Sequence, residues 1–292
     1  MSKVAYIVDS SSCISEKEAK DRGYYFLPLH VIIEGVDYLE GSSLDLKVLK
    51  QALLDKKNVS TSQASPGEII QLLEQVKKDG YDSAVYAGIS SGLSKTQETA
   101  KSAAKTEDFD LYVIDTLSAG NTVTIALEKA KQLIEEGMPV KEAVEKINSE
   151  ESLKNKTFAI MTDLSYAAKG GRITPTAAAL GNLLKITPLL YIDFNQGGKI
   201  DILEKVRTSK KAYKRLAELI LEDVDDISNY EIEVADFYGK DQKDGVIKAI
   251  KELQPNAKIT ESSLSATIGV HTGTESIAAF IVDTRNLNKG DK

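Results

Sequence analysis

Three apolar runs in the N-terminal half of the chain stop abruptly in loops of hydroxyl and glycine residues, and helix-forming sequence follows each. They read VAYIVDSSS (residues 4–12), SAVYAGISSGLSKT (83–96) and LYVIDTLSAGNT (111–122). Each run has the length and β-branched content of a buried parallel strand. Strands of that kind, alternating with helices, require an open α/β sheet. A fourth stretch, VSTSQASPGE (59–68), carries a similar hydroxyl-rich loop after a shorter run. In an open α/β sheet such loops converge at the carboxyl ends of the strands, where ligands bind. Hydroxyls and backbone N–H groups at helix starts suit an anion there, either a phosphate or a carboxylate.

The rest of the composition narrows the chemistry. With two histidines, one cysteine and no tryptophan among 292 residues, a conventional catalytic or metal cluster has little to draw on. The net charge of −7 argues against nucleic acid or an anionic membrane as the main partner. Cys13 is alone, so no intramolecular disulfide forms, which fits a reducing compartment. The sequence enters its first strand without a charged leader, and no apolar stretch reaches the length of a membrane span. A cytoplasmic location is expected.

The pattern predicts two domains. In residues 1–155 the parallel sheet is joined by helices at 16–22, 45–56, 66–78, 95–105, 122–136 and 139–149. An arm at about 24–44, with a hairpin turning at Glu34-Gly35, is expected at an edge because Pro28 is awkward in a central strand. The charged stretch 150–156 marks the boundary. Residues 156–292 read as an α+β domain with a mixed or antiparallel sheet. Its strands are expected at 157–163, 187–194, 199–206, 231–238 and 278–283, and its helices at 164–173, 174–185, 208–223 and 241–253. IGVHTGTES (268–276) reads as a loop.

Several motifs admit two readings. GISSG (88–92) fits the G-x-S-x-G elbow of a hydrolase, and Ser90, an acid and His271 occur in the chain order of that fold. A structural capping loop has the same look, and no HGGG-type oxyanion loop accompanies it. The same loop lacks the spacing of a nucleotide-binding P-loop, because Ser94 rather than glycine precedes Lys95-Thr96. His30 reads as an exposed strand residue. His271, flanked by Gly269, Thr272 and Gly273, is either an anion donor or a satisfied structural histidine. Lys169 and Arg172 in KGGRI (169–173) either complement a helix dipole or dock a partner. KVRTSKKAYKR (205–215) is either a solvated face or a recognition patch.

Taken in order, DSSS (9–12), STSQ (60–63), ISSGLS (89–94), KGGRI (169–173), KVR (205–207) and HTG (271–273) resemble the DegV family of bacterial fatty-acid-binding proteins, which includes the FakB subunits of fatty acid kinase. The likeness runs end to end. It departs at Ala64, where the family usually has proline, at Lys95 and Gln97, and at Thr274-Glu275, where Pro-Gly is common. The resemblance implies a non-catalytic carrier with a long-chain fatty acid held between the two domains. Thr61 or Ser62 and Ser90 or Ser91 would hold the carboxylate, with His271 and Thr272 beside it. Arg172 and Arg207 would face a partner or the head group. The implied partner is a separate ATP-binding kinase subunit of the FakA type, which forms the acyl-phosphate. No cofactor, metal or nucleic acid is implied, and a transient contact with a membrane surface is compatible with the role. A serine hydrolase using Ser90 and His271 is the alternative.

Overall fold

The computed structural model describes residues 3–151, 156–179, 186–193 and 197–285. The expected boundary stretch falls partly on 152–155, and the second half of the helix expected at 174–185 falls on 180–185, both outside the described residues. The three apolar runs form β1 (Val4–Asp9), β6 (Ser83–Gly88) and β7 (Asp110–Asp115), joined in a parallel four-stranded sheet of order β2-β1-β6-β7. Alternation along β1 explains its two-sided burial. Ala5 and Ile7 pack on α3 (Pro66–Lys78) and α4 (Thr96–Thr106), whereas Tyr6 and Val8 pack on α5 (Asn121–Glu135) and α6 (Val140–Lys146). Helix α3 begins as the sequence suggested. Ser65 caps it in a capping box with Glu68, and Pro66 occupies the first turn.

The arm at 24–44 divides in two. Tyr25–Leu27 (β2) adds to the edge of the parallel sheet. His30–Ile33 (β3) and Val36–Leu39 (β4) form the expected hairpin, with positive φ at Glu34 and Gly35. Val59–Ser62 (β5) pairs on the other side of β3 and completes a small antiparallel sheet. The expectation of an exposed edge fails for β3, which is the central strand. Val31 and Ile33 are buried against Phe237, Val270 and Phe280 of the C-terminal half. His30 is likewise not exposed, at 8%. Its Nδ1 lies 2.9 Å from Asp37 and its Nε2 3.0 Å from Glu68. Burial opposes its charge, but the two carboxylates outweigh it and raise its pKa.

The C-terminal half is a six-stranded mixed sheet of order β10-β9-β8-β13-β11-β12. Its strands are β8 (Lys156–Ile160), β9 (Thr187–Asp193), β10 (Lys199–Val206), β11 (Tyr230–Phe237), β12 (Lys258–Ser263) and β13 (Ser276–Asp283). Only β11 and β12 run parallel. The sequence reading missed β12, whose polar, half-exposed residues carry no apolar signal. Around this sheet lie α7 (Ser165–Gly170), α8 (Pro175–Ala178), α9 (Ser209–Leu221) and α10 (Lys240–Leu253). The expected loop at 268–276 is corrected as well. Residues Ala266–Thr272 form a helix, α11, capped by Ser265. Two glycines flanking a histidine suggested a loop, but Gly269 lies against the Phe237 ring, where a Cβ would collide with it. The glycine permits close helix–sheet packing.

The hydroxyl loop after β1 is a structural knot. The Asp9 carboxylate is fully buried and accepts hydrogen bonds from Ser11 N at 3.0 Å, Tyr86 Oη at 2.7 Å and Ile89 N at 3.1 Å, and from the Ser11 hydroxyl. A Cβ at Gly88 would collide with both Tyr86 Oη and the Asp9 carboxylate. Gly88→Ala should therefore destabilise the fold by about 1–3 kcal/mol, the usual penalty of overpacking. Urea unfolding monitored by circular dichroism measures it, and an unchanged midpoint would refute the knot.

Candidate functional site

A cleft of about 860 Å3, counting its open mouth, lies between the mixed sheet and the N-terminal half, and residues from both sides of position 155 line it. Its floor is one face of the mixed sheet. Along β13, Ile277, Ala279 and Ile281 face α9 and α10, while Ala278 and Phe280 face the cleft. Their cross-strand partners on β8, Ala159 and Thr157, continue the floor. The small Ala278–Ala159 pair leaves a trough beside the Phe280 ring. Helix α11 forms a side wall, presenting Thr267, Ile268 and His271 at helical spacing. Loops of the N-terminal half close the top through Leu29, Ile89, Leu93 and Ala119.

Polar groups gather at one end. The Thr61 hydroxyl at the end of β5 shares a hydrogen bond of 2.7 Å with His271 Nε2, the tautomer deciding which atom donates. The pairing of β5 with β3 holds Thr61 opposite Val31, and α11 holds His271 across the cleft. The start of α11 is fixed from the other half of the chain. The Glu40 carboxylate accepts hydrogen bonds from Ala266 N, Thr267 N and the Thr267 hydroxyl. Burial raises the Glu40 pKa.

Burial and the neighbouring Arg172 guanidinium lower the His271 pKa to about 4, so its ring is neutral near pH 7. A neutral imidazole donating through Nε2 to Thr61 frees the Thr61 O–H for an anion in the cleft. Arg172 also lines the cleft. Its Nε donates to the Leu93 carbonyl at 3.0 Å, and another nitrogen donates to Gly170. The glycine turn of KGGRI therefore folds this arginine inward instead of exposing it. Gly170 itself packs against the His271 ring, so a side chain there would displace the imidazole.

The remaining expected residues divide. Ser62 and Thr272 line the cleft, although the Thr272 hydroxyl is already paired with Ser276 at 2.8 Å. Ser90 is fully buried and lies outside the lining. Its hydroxyl donates to the Gly198 carbonyl at 3.1 Å and accepts from Gly92 N at 3.1 Å, which ties the loop after β6 to the turn before β10. Ser91 is held by its backbone N–H to Asp115 and does not line the cleft either. Ser90 and His271 thus have different partners, and the hydrolase pairing is not formed. Arg207 is exposed beyond β10, away from the cleft. Ser94 and Gln63 line the cleft and were missed, although both sit inside motifs already noted. Their signal was position within STSQ and ISSGLS.

The comparisons with known proteins agree with this geometry. The model of the DegV family matches residues 3–284. The chain belongs to the DegV family. A DegV domain-containing protein of Streptococcus pneumoniae is 30% identical over 280 residues, covering 94% of this chain and 97% of the relative. Among solved structures, a fatty acid binding DegV family protein from Streptococcus agalactiae superposes with a TM-score of 0.86 at 30% identity, over 97% of this chain and 99% of that one. DegV, a fatty acid binding protein from Bacillus subtilis, gives 0.84 at 26% identity, over 97% and 100%.

The neutral state of His271 has a consequence for stability. Its pKa is lower folded, at about 4, than in an unfolded chain, at about 6.5. The unfolded state therefore binds more protons between those values, and stability falls as pH drops through that window, by up to about 3 kcal/mol. His271→Gln should remove this part of the slope. Denaturant titrations at pH 7 and pH 4.5 test it, and equal slopes in both proteins would refute the assignment.

Proposed function

We propose that this DegV protein binds a long-chain fatty acid between an N-terminal domain (1–155) and a C-terminal domain (156–292). It presents the carboxylate to a separate ATP-dependent kinase subunit, as FakB-type carriers do. The observation that carries this reading is an apolar trough ending in the Thr61–His271 pair beside Arg172. The apolar lining suits an acyl tail and the polar groups beside it suit one carboxylate. Burial of a sixteen-carbon tail contributes on the order of 11 kcal/mol at about 0.8 kcal/mol per CH2, less several kcal/mol for association. Fatty acid binding by the Streptococcus agalactiae and Bacillus subtilis relatives supports the same ligand class.

In this scheme Thr61 donates to the carboxylate, and Arg172 supplies positive potential at the head group; the Ser62 hydroxyl donates to the Gln63 carbonyl at 3.1 Å instead. A hydroxyl orients the carboxylate without enclosing both oxygens, which leaves one to attack the γ-phosphoryl group of ATP held by the partner, forming the acyl-phosphate as the β–γ bridging bond breaks and ADP leaves. The carrier supplies no catalytic group. Ser90 and Ser91 take a different part from the one the family resemblance implied: they shape the loop that carries Ile89, Leu93 and Ser94.

Protein purified without added lipid should release a C14–C18 fatty acid on organic extraction, identified by mass spectrometry. A delipidated sample that binds no fatty acid in calorimetry would refute the carrier role. Thr61→Val should weaken lipid binding by no more than roughly 10- to 100-fold, since one hydrogen bond to a charged group is worth about 1.5–3 kcal/mol and the buried tail contributes far more. It should also support little acyl-phosphate formation with the kinase and ATP. Exposed Arg207 is the better docking residue of the two arginines. Arg207→Ala should leave lipid content unchanged and raise the carrier concentration needed for half-maximal kinase turnover, an effect that shrinks with added salt. Loss of bound lipid in that variant would place Arg207 in binding instead.

A further inference from the structure

We infer that Gln63 is an additional head-group donor, whose side-chain amide turns to hydrogen-bond the bound carboxylate. This rests on the proposed fatty-acid-carrier reading. Gln63 follows β5 two residues after Thr61, so at strand spacing both side chains lie on the same side, and both line the cleft. Ala64 beside it is fully buried and anchors the loop. Gln63 Nε2 donates to the Thr99 hydroxyl on the first turn of α4 at 2.8 Å. Its Oε1 is buried and has no hydrogen-bond partner. A buried acceptor left unpaired is costly, and it points to a group that arrives with the ligand.

The amide can meet that group without losing Thr99. A hydroxyl both donates and accepts. With the amide rotated by half a turn, Thr99 donates to Oε1 and Nε2 takes the place of the orphaned oxygen. An acceptor in the cleft then completes the set, and a carboxylate oxygen is the acceptor that this ligand class supplies. A neutral amide suits the task for the same reason as the Thr61 hydroxyl: it orients the carboxylate without adding a second fixed charge beside Arg172.

The test compares a long-chain fatty acid with the alcohol of the same chain length, binding each to the full chain, to Gln63→Met and to Gln63→Glu. Met has nearly the same shape and no donor. Its affinity for the acid should fall roughly 10- to 100-fold, and its affinity for the alcohol, whose hydroxyl accepts only a weaker neutral bond, should fall several-fold less. Gln63→Glu should weaken acid binding further at neutral pH through like-charge repulsion. The resonance of acid labelled with 13C at the carboxylate should shift between the wild-type and Gln63→Met complexes. Wild-type affinity for the acid in Gln63→Met, or an unshifted carboxylate resonance, would overturn the inference. An equal loss for acid and alcohol would also overturn it, by showing that Gln63 only shapes the loop. Failure of the wild-type chain to bind the acid would instead refute the carrier reading itself.

Discussion

A buried carboxylate at the end of the first strand holds the cleft end of this molecule together. Asp9 has no exposed surface, and burial raises its pKa even though four hydrogen-bond donors converge on it. A group so costly to desolvate is tolerated only where its partners are fixed. Here they are the Ser11 backbone and hydroxyl, the Tyr86 ring on β6 and the N–H of Ile89. The loops after β1 and β6 are thereby locked to each other, and Ile89 is delivered to the cleft wall. The loop after β7 joins through the bond from Gly120 N to the Ser11 carbonyl at 2.7 Å. Asp115 repeats the device two strands over, at the end of β7, accepting from Ser91 N, Leu117 N and Gln97. Of the hydroxyls in these three loops, those of Ser11 and Ser12 bond Asp9, and Ser94 lines the cleft.

The two halves are joined by polar contacts as specific as their apolar ones. Ser118 and Thr157 share a hydrogen bond of 2.7 Å across the top of the cleft. Ser90 reaches Gly198, Arg172 reaches the Leu93 carbonyl and Glu40 receives the start of α11. Each tie sits close to a residue that lines the cleft. Cleft geometry is therefore coupled to how the halves meet. The Thr61–His271 bond is itself one of these ties, linking β5 to α11.

Much of the site was legible because it follows local rules. Capping at Ser65 and Pro66, the Glu34-Gly35 turn, the parallel strands at 4–9, 83–88 and 110–115, and the clustering of hydroxyls after them all follow from backbone preference and hydrophobic period. Thr61, Ser62 and His271 were singled out from motif chemistry and order, and the structure gathers them at one cleft. Misreadings arose where two residues look alike in sequence and differ only in what they meet. Ser90 and Ser94 both lie in ISSGLS, yet one meets Gly198 and the other the cleft. Arg172 and Arg207 both follow motifs rich in cations, yet one folds inward and the other remains in solvent.

By itself the sequence determined the α/β character and the parallel run of the N-terminal strands, and it marked Thr61, Ser62 and His271 among its anion-binding candidates. Those depend on periodicity and side-chain chemistry, which each segment carries within itself. Only the tertiary structure decided that β3 is a central strand, that 266–272 is a helix, and that the floor of the cleft is the Ala278–Ala159 pair. Each of these is set by residues distant in the sequence. Val31 is buried because Phe237 and Phe280 cover it, and Gly269 continues a helix because the Phe237 ring needs the space of its missing side chain. Two alanines make a trough only when a strand pairing sets them side by side, and that pairing joins residues far apart in the chain.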